Sequence, residues 1–517
     1  MKIGLLVDSQ LSREAKYLLK NMDIDKVYVQ VFSHKRKTNK KTNIFRKVSF
    51  KIISIFESFF LKLNDLEYCD DIKTTTINMI SKNSKGRCYV DKVGVSRIKK
   101  HNLDVLVRCG SGILSGEILN ITKYGIVSLH HGDISFMRGR PAGFYEQIFK
   151  RAETGFVIQK LTETLDGGEI IFKGTTTTVF PWTYNYDRVY NRSLYYLKMI
   201  LSSEINLLKR DVTLPYSGLN YSTPSLFHQL LYIKTFLKIL NRFLFNRVSN
   251  QRYYWSVFFQ RKESLNGVNF NKGVRVIPRF NSWLADPFAF SFKGKDYIFL
   301  EDFKTKDDKA VISVYEVIGK KQYFLGECIV EKFHLSFPRV FEHNDQLYLT
   351  LESADKKGIR IYNSEEFPLK WSYSHSILNE FYCGDPIIYS EDDNIFLLVS
   401  ISHNNINDFN TDLFKFKLCD DLTQFESISN FPLISSTKGG RNAGLAVIDK
   451  EIKRIGQVQD YLIYGKSLSV HNMKSLKIED EIVLHPDSKY LSIHTLNSNN
   501  GVLVYDMAKY RKLNSSH

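Results

Sequence analysis

At 517 residues the chain is too long for one hydrophobic core, which excludes a single small domain and calls for two or three. Hydrophobic residues at 43% and aromatics at 14% exclude a disordered polymer. The formal charge of +17 does not by itself designate a nucleic-acid binder, because the lysine accompanies heavy Asn and Ile usage, so where the cations cluster counts for more than their sum.

The chain opens on Lys2 to Val7, an apolar run broken at Asp8 and too brief for the apolar core of a signal peptide. This run and Leu103 to Arg108 each lead into a helical pattern, as buried parallel strands do, and predict an α/β domain over residues 1–215. Between them, residues 34–63 hold Lys35, Arg36, Lys37, Lys40, Lys41, Arg46, Lys47, Lys51 and Lys62 against a single acid, Glu57. Ile44, Phe45, Val48, Ile52, Ile55, Phe56, Phe59 and Leu63 recur there at three- and four-residue steps, which predicts an amphipathic helix. Such a helix is either a core helix of its domain or a contact with an anionic membrane.

A second helix is expected after Thr223-Pro224, within a linker over residues 216–252. Lys234, Lys238 and Arg242 recur on one face, with Leu226, Leu230, Ile233, Leu237, Leu240 and Leu244 on the broad remainder, so it too reads as a packed linker helix or an interfacial anchor. From residue 253 to 517 strands dominate and a hairpin repeats. Glu301, Glu352 and Ser400 each close a strand fourteen residues after Pro287, Pro338 and Pro386. With echoes near Gly444 and His494 the anchors fall at the period of a four-stranded propeller blade, and five blades fit the length. A sandwich has no reason to repeat in this way.

The six cysteines are dispersed and read as reduced thiols, and no apolar run reaches the roughly 18 residues that span a bilayer, so the expected location is the cytoplasm, with peripheral contact to the membrane. No His/Cys cluster has metal-ligand spacing. The Gly110-Ser111-Gly112 turn lacks the third Gly of a dinucleotide fingerprint.

The chemistry concentrates in residues 103–172: Gly110-Ser111-Gly112, Ser128-Leu129-His130-His131-Gly132-Asp133, Arg138-Gly139 and Leu165-Asp166-Gly167-Gly168. In order and spacing these blocks resemble the formyltransferase superfamily of methionyl-tRNA formyltransferase, glycinamide ribonucleotide transformylase and the sugar N-formyltransferases. The resemblance implies a Rossmann-type sheet, His130 and Asp166 as catalytic residues, and N10-formyltetrahydrofolate as donor beside the Gly110-Ser111-Gly112 loop. Ser128 stands where the family has an asparagine. A serine hydroxyl reaches less far than an amide, and a lost oxyanion donor costs about 100- to 1,000-fold in rate. Ser128 then donates across a tighter or water-filled gap, His131 replaces it, or the site serves another reaction.

The propeller half resembles the five-bladed propellers of glycoside hydrolase family 43 and the N-terminal domain of glucosamine inositolphosphorylceramide transferases. The matching residues are Ala285-Asp286-Pro287-Phe288, Ser336-Phe337-Pro338 with Glu352-Ser353, Gly384-Asp385-Pro386, Arg441-Asn442-Ala443-Gly444 with Gln457, and Tyr464-Gly465. Asp286, Glu352, Asp385 and Arg441 are expected to converge at one end of the channel, either as a glycan site or as turn-capping acids paired with the arginine.

The reading is formyl or related acyl transfer to an amino sugar, presented as a nucleotide-sugar or a lipid-linked glycan, with the propeller holding the glycan. In the alternatives the propeller is itself a glycosyltransferase or glycosidase beside a repurposed N-terminal domain, or the whole chain only binds glycans. Nucleic acid is disfavoured as substrate, since the tRNA-formylating relatives carry a small β-barrel where this chain has a propeller.

Overall fold

The structure, a computed structural model, describes residues 1–8, 11–22, 28–33, 44–60, 74–77, 79–81, 87–110, 112–163, 168–208, 218–353, 355–402, 411–476 and 478–512. It divides into two compact units, Met1–Phe236 and Leu237–His517.

The first unit is built on a seven-stranded sheet. Its main elements in chain order are β1 (Lys2–Val7), α1 (Arg13–Asn21), β2 (Tyr28–Ser33), α2 (Ile44–Phe60), β3 (Thr74–Thr76), α3 (Lys92–Lys99), β4 (Val105–Cys109), β5 (Ile126–His130), α4 (Phe144–Ile148), β6 (Glu153–Lys160), β7 (Glu169–Thr177), α5 (Trp182–Leu201) and the first half of α6 (Leu226–Val248). The sheet order is β7-β6-β5-β4-β1-β2-β3. β3, β2, β1, β4 and β5 run parallel, while β6 and β7 form an antiparallel hairpin at the edge. β1 and β4 are apolar runs buried on both faces, as an interior parallel strand requires. The strand order reverses between β1 and β4, the place where an open α/β sheet leaves a crevice at its carboxyl edge.

Local chemistry sets the helix starts. Ser12 accepts from Ala15 N ahead of α1, and Asp91 accepts from Gly94 N ahead of α3. α5 follows Pro181 and has no cap of its own, so its first turn is served from another helix. Glu57 of α2 accepts from Thr183 N at 2.9 Å and Thr183 Oγ1 at 3.0 Å, and takes a third hydrogen bond from Tyr232 of α6. A carboxylate there meets the positive end of the helix dipole.

The second unit is a five-bladed propeller. Its inner strands are Ser282–Phe292, Ser336–His343, Tyr382–Glu391, Lys438–Ile448 and Leu496–Asn499, and they touch one another in cyclic order. The first four contain the anchors read at Pro287, Pro338, Pro386 and Gly444, and the fifth begins two residues after the echo at His494. The fifth blade is assembled from both ends of the unit: Leu496–Asn499 and Val502–Lys512 supply the inner pair, and Gln251–Arg261 and Val274–Arg275 the outer pair. Gln251–Arg261 pairs residue for residue with Val502–Lys512, and this ladder closes the ring. In the first four blades the inner strand bulges at one equivalent position, and the bulged residue takes positive φ: Asp286 (45°), Phe337 (50°), Asp385 (49°) and Gly439 (86°).

Candidate functional site

In the first unit the carboxyl ends of β1, β4 and β5 open into a cleft of about 860 Å³. Asp8, Gly110 and His130 line it from the strand ends, Ser12, Arg13 and Glu14 from the start of α1, and Tyr186, Asp187 and Tyr190 from α5. Arg108, buried in β4, lies behind the lining residues and holds Asp8. The guanidinium donates to Leu6 O at 3.1 Å and Asp8 Oδ1 at 3.2 Å. A Cβ on Gly110 would stand 2.5 Å from Asp8 Oδ1 and 2.7 Å from Arg108 Nη1, so the glycine makes room for this ion pair. Gly112 lines the cleft with φ 97°, and Ser111 lies outside the described residues.

His130 faces the cleft half-buried, its Nε2 3.5 Å from Met137 O. His131 stacks on Tyr190 at 4.2 Å, the two rings nearly parallel. Its Nε2 lies 3.0 Å from Ser193 Oγ, and that hydroxyl gives its one hydrogen to Tyr190 O at 2.7 Å. While Ser193 keeps that bond it accepts from His131, an arrangement that puts the imidazole proton on Nε2 and makes Nδ1 the accepting nitrogen. Burial pushes the His131 pKa down to about 4, so the ring is neutral at pH 7. A neutral ring in this tautomer accepts at Nδ1 and cannot supply an oxyanion hydrogen bond from that nitrogen.

Ser128 is in register with Arg108 on one side and Gln159 on the other, and is not among the residues lining the cleft. Asp166 lies outside the described residues. Asp133, which follows this motif, accepts from Ser135 N at 3.0 Å and Lys173 Nζ at 2.9 Å, as a turn residue does. Sequence reasoning missed Asp8, Arg108 and Arg13. Arg13 donates to Asp187 and to Asn191 at 2.7 Å, and lies over the Tyr190 ring. A charged residue inside the apolar run Val105–Cys109 was the available signal.

In the propeller, Asp286, Glu352, Asp385 and Arg441 are brought together with further groups at the inner strands. Arg441 donates to Glu352 at 3.0 Å and to both oxygens of Asp385, while Asp385 N donates to Glu352 Oε2 at 2.8 Å. Gln457 adds a hydrogen bond to Asp385 at 2.8 Å. Burial and the neighbouring Glu352 hold the Asp385 carboxyl above its ordinary range despite the guanidinium.

Beside this group His494 stands between two acids, 3.1 Å from Asp286 Oδ1 and 2.8 Å from Asp506 Oδ1. Burial opposes the imidazolium, but the two carboxylates more than offset it and raise its pKa well above normal. Burial likewise pushes Asp286 up, yet His494 and Thr495 hold it below the usual carboxylate range. Glu301 is raised by burial and by the Asp286 charge. The ligand atoms of Asp286, His494 and Asp506 lie within 4.8 Å of one another, a set that can hold a cation. Here both ring nitrogens face carboxylates, and Asp506 also accepts from the backbone of Asp286, His494 and Thr495. Glu301 closes the first hairpin at the offset where Glu352 closes the second, and His494 meets Asp506 within the last blade; ring closure is what brings that pair to Asp286.

Residues 274–515 match the family described as glucosamine inositolphosphorylceramide transferase 1, N-terminal. A protein of that name from Arabidopsis thaliana is 28% identical over 229 residues, which is 43% of this chain and 30% of the relative. Methionyl-tRNA formyltransferase of Ehrlichia ruminantium (strain Gardel) is 33% identical over 78 residues, 15% of this chain and 26% of the relative. The chain thus spans less than a third of the length of these curated relatives. A solved sugar N-formyltransferase from Shewanella sp. FDAARGOS_354 superposes with 17% identity and a TM-score of 0.30, covering 46% of this chain and 88% of that one.

Proposed function

We propose that this chain, in which a formyltransferase-like unit precedes a propeller similar to the N-terminal part of glucosamine inositolphosphorylceramide transferases, is a carbohydrate-acting transferase. Its first unit transfers a formyl or related acyl group from N10-formyltetrahydrofolate to the amine of a sugar carried on a nucleotide or a lipid. The observation that carries this reading is the cleft at the strand-order reversal, which His130 lines together with Asp8, the carboxylate held from behind by Arg108.

A cleft of about 860 Å³ with Ile113, Leu129, Trp182, Tyr186 and Tyr190 in its walls suits a flat heterocycle and a sugar amine together. The donor supplies the formyl carbon. The amine of the acceptor forms the new C–N bond to it, the bond from that carbon to N10 breaks, and the products are a formamide and tetrahydrofolate. His130 takes the proton that the amine sheds and returns it toward the departing nitrogen. In this reading His131, with its proton on Nε2 toward Ser193, orients the acceptor amine through Nδ1, and other donors meet the oxyanion.

The propeller's acids support glycan binding. Asp385 and Glu352 share Arg441, and Asp286 is held by His494, so these carboxylates are engaged by neighbouring cations, an arrangement suited to holding a glycan's hydroxyls. Calorimetric titration of the full chain with 5-formyltetrahydrofolate, a stable stand-in for the donor, tests the reading. Saturable binding weakened by Trp182→Ala is expected; the absence of binding at millimolar ligand would remove folate from the proposal.

A further inference from the structure

α2 and α6 carry two faces each. On α2, Phe50 and Ile53 pack into the aromatic cluster of Phe144, Tyr145, Trp182 and Tyr232, and Glu57 is buried against Thr183 and Tyr232. The opposite face is apolar and open: Phe45 is 68% exposed, Ile52 61% and Phe56 53%. On α6, Gln229 and Tyr232 turn inward, while Phe227 is 67% exposed and Leu230 66%.

The two helices lie side by side and run in the same direction. Arg46 donates to Pro224 O at 2.9 Å and its own carbonyl accepts from Gln229, while ten residues on Phe56 meets Phe236 edge-on at 6.3 Å. Their outward residues therefore form one apolar strip rather than two isolated stripes, and a strip of exposed Phe, Ile and Leu on this scale is what an interaction surface presents.

Charge selects the occupant. Lys47, Lys51 and Lys234 are exposed along the strip, α6 contains no acid, and the one acid of α2 is the buried Glu57. Apolar side chains bordered by cations and free of anions match an anionic lipid surface. No helix among the described residues is long and apolar enough to cross a membrane, so the strip would lie in the interface. Ser54, one turn from Phe50 and Glu57 on the inner side of α2, lines the catalytic cleft. The same helix is thus a wall of the cleft and a side of the strip.

We infer that the outer faces of α2 and the first half of α6 dock this protein on an anionic bilayer, with the cleft beside the lipid surface, where an acceptor borne on a lipid headgroup is within reach. This stands whether or not the transferred group is formyl, because it is read by binding alone. Flotation of the full chain with phosphatidylcholine vesicles, with and without phosphatidylglycerol, tests it. Binding is expected only with the anionic vesicles and is expected to fall at high salt. Phe45→Ser combined with Ile52→Ser, Phe227→Ser and Leu230→Ser should abolish it with an unchanged circular dichroism spectrum, and Lys47→Glu with Lys51→Glu should weaken it roughly tenfold or more.

Should the serine variant misfold, the charge variant and the comparison of vesicles still decide. Equal flotation with neutral and anionic vesicles, or none with either, overturns the proposal. So does a stable dimer by light scattering that the serine substitutions dissociate, since a second copy would then be what covers the strip.

Discussion

Arg441 is the single cation shared by two buried carboxylates, and removing it leaves both without compensation. Arg441→Met is expected to destabilise the propeller by about 3–5 kcal/mol, with Asp385→Asn in the same chain restoring part of the loss, as urea unfolding would register. If the single and double variants unfold alike, the arginine is not there for charge. His131 gives a pH signature of opposite origin. Its folded pKa near 4 lies below the ordinary 6.5, so between these values the unfolded chain binds a proton that the folded one does not. Stability contributed by the neutral ring is complete above about pH 6.5 and is lost as pH falls toward 4, by at most about 3 kcal/mol. His131→Asn should flatten that part of the urea midpoint against pH. His130→Ala belongs with these: a loss of about 100- to 10,000-fold in transfer is expected with an unfolding midpoint within about 0.5 kcal/mol of wild type. At this scale the sequence exposed residues that sit in a motif, such as His130, Asp385 and Arg441. It showed Glu301 and His494 only as repeat markers and Asp506 not at all, because blade packing and not spacing brings Asp286 against His494.

A repeated strand can be read from sequence, but the conformation inside it is harder to see. The Pro-anchored hairpins announce the inner strands, since a proline and an alternating apolar run recur at fixed offset. Nothing local announces that the residue before each proline adopts positive φ, a region that β-branched and bulky side chains avoid and that a residue preceding proline rarely enters. The fourth blade solves the same bulge with Gly439. A Cβ there would stand 2.3 Å from Nε2 of His471, a ring held by Ser469 at 2.8 Å and by Leu476 O. Gly439→Ala is therefore expected to cost roughly 2 kcal/mol or more, although the equivalent positions hold Asp, Phe and Asp. Adding His471→Ala should recover the steric part and leave the backbone part, which a double-mutant cycle by thermal melting separates. Additive losses would mean that the ring is not the obstacle. For the amphipathic helices the periodicity is plain in the sequence, yet both faces of α2 are apolar; only the tertiary contacts of Phe50 and Ile53 say which face turns inward.

Over the whole chain, fold class was legible because two different periods meet: parallel-strand runs before residue 215 and a blade repeat after 253. What sequence did not reveal is that the division between compact units falls within α6 and not at either end of the expected linker. A helix carries no compositional mark where its tertiary partners change. Ring closure yields the prediction at this scale. Eleven residue pairs join Gln251–Arg261 to Val502–Lys512, so deleting residues 501–517 strips the ladder from the first strand and opens the ring. Trypsin is expected to digest that truncated chain throughout residues 237–500 while sparing fragments of the first unit; a resistant propeller fragment would contradict the closure argument. The same ladder sets Gln251 directly opposite Lys512, and Cα atoms facing one another across an antiparallel pair are only about 5 Å apart. Entry and exit of the ring are therefore spaced like the two stems of a hairpin, so the propeller has the geometry of a graftable cassette, able to be spliced into a surface loop of an unrelated host without a spacer.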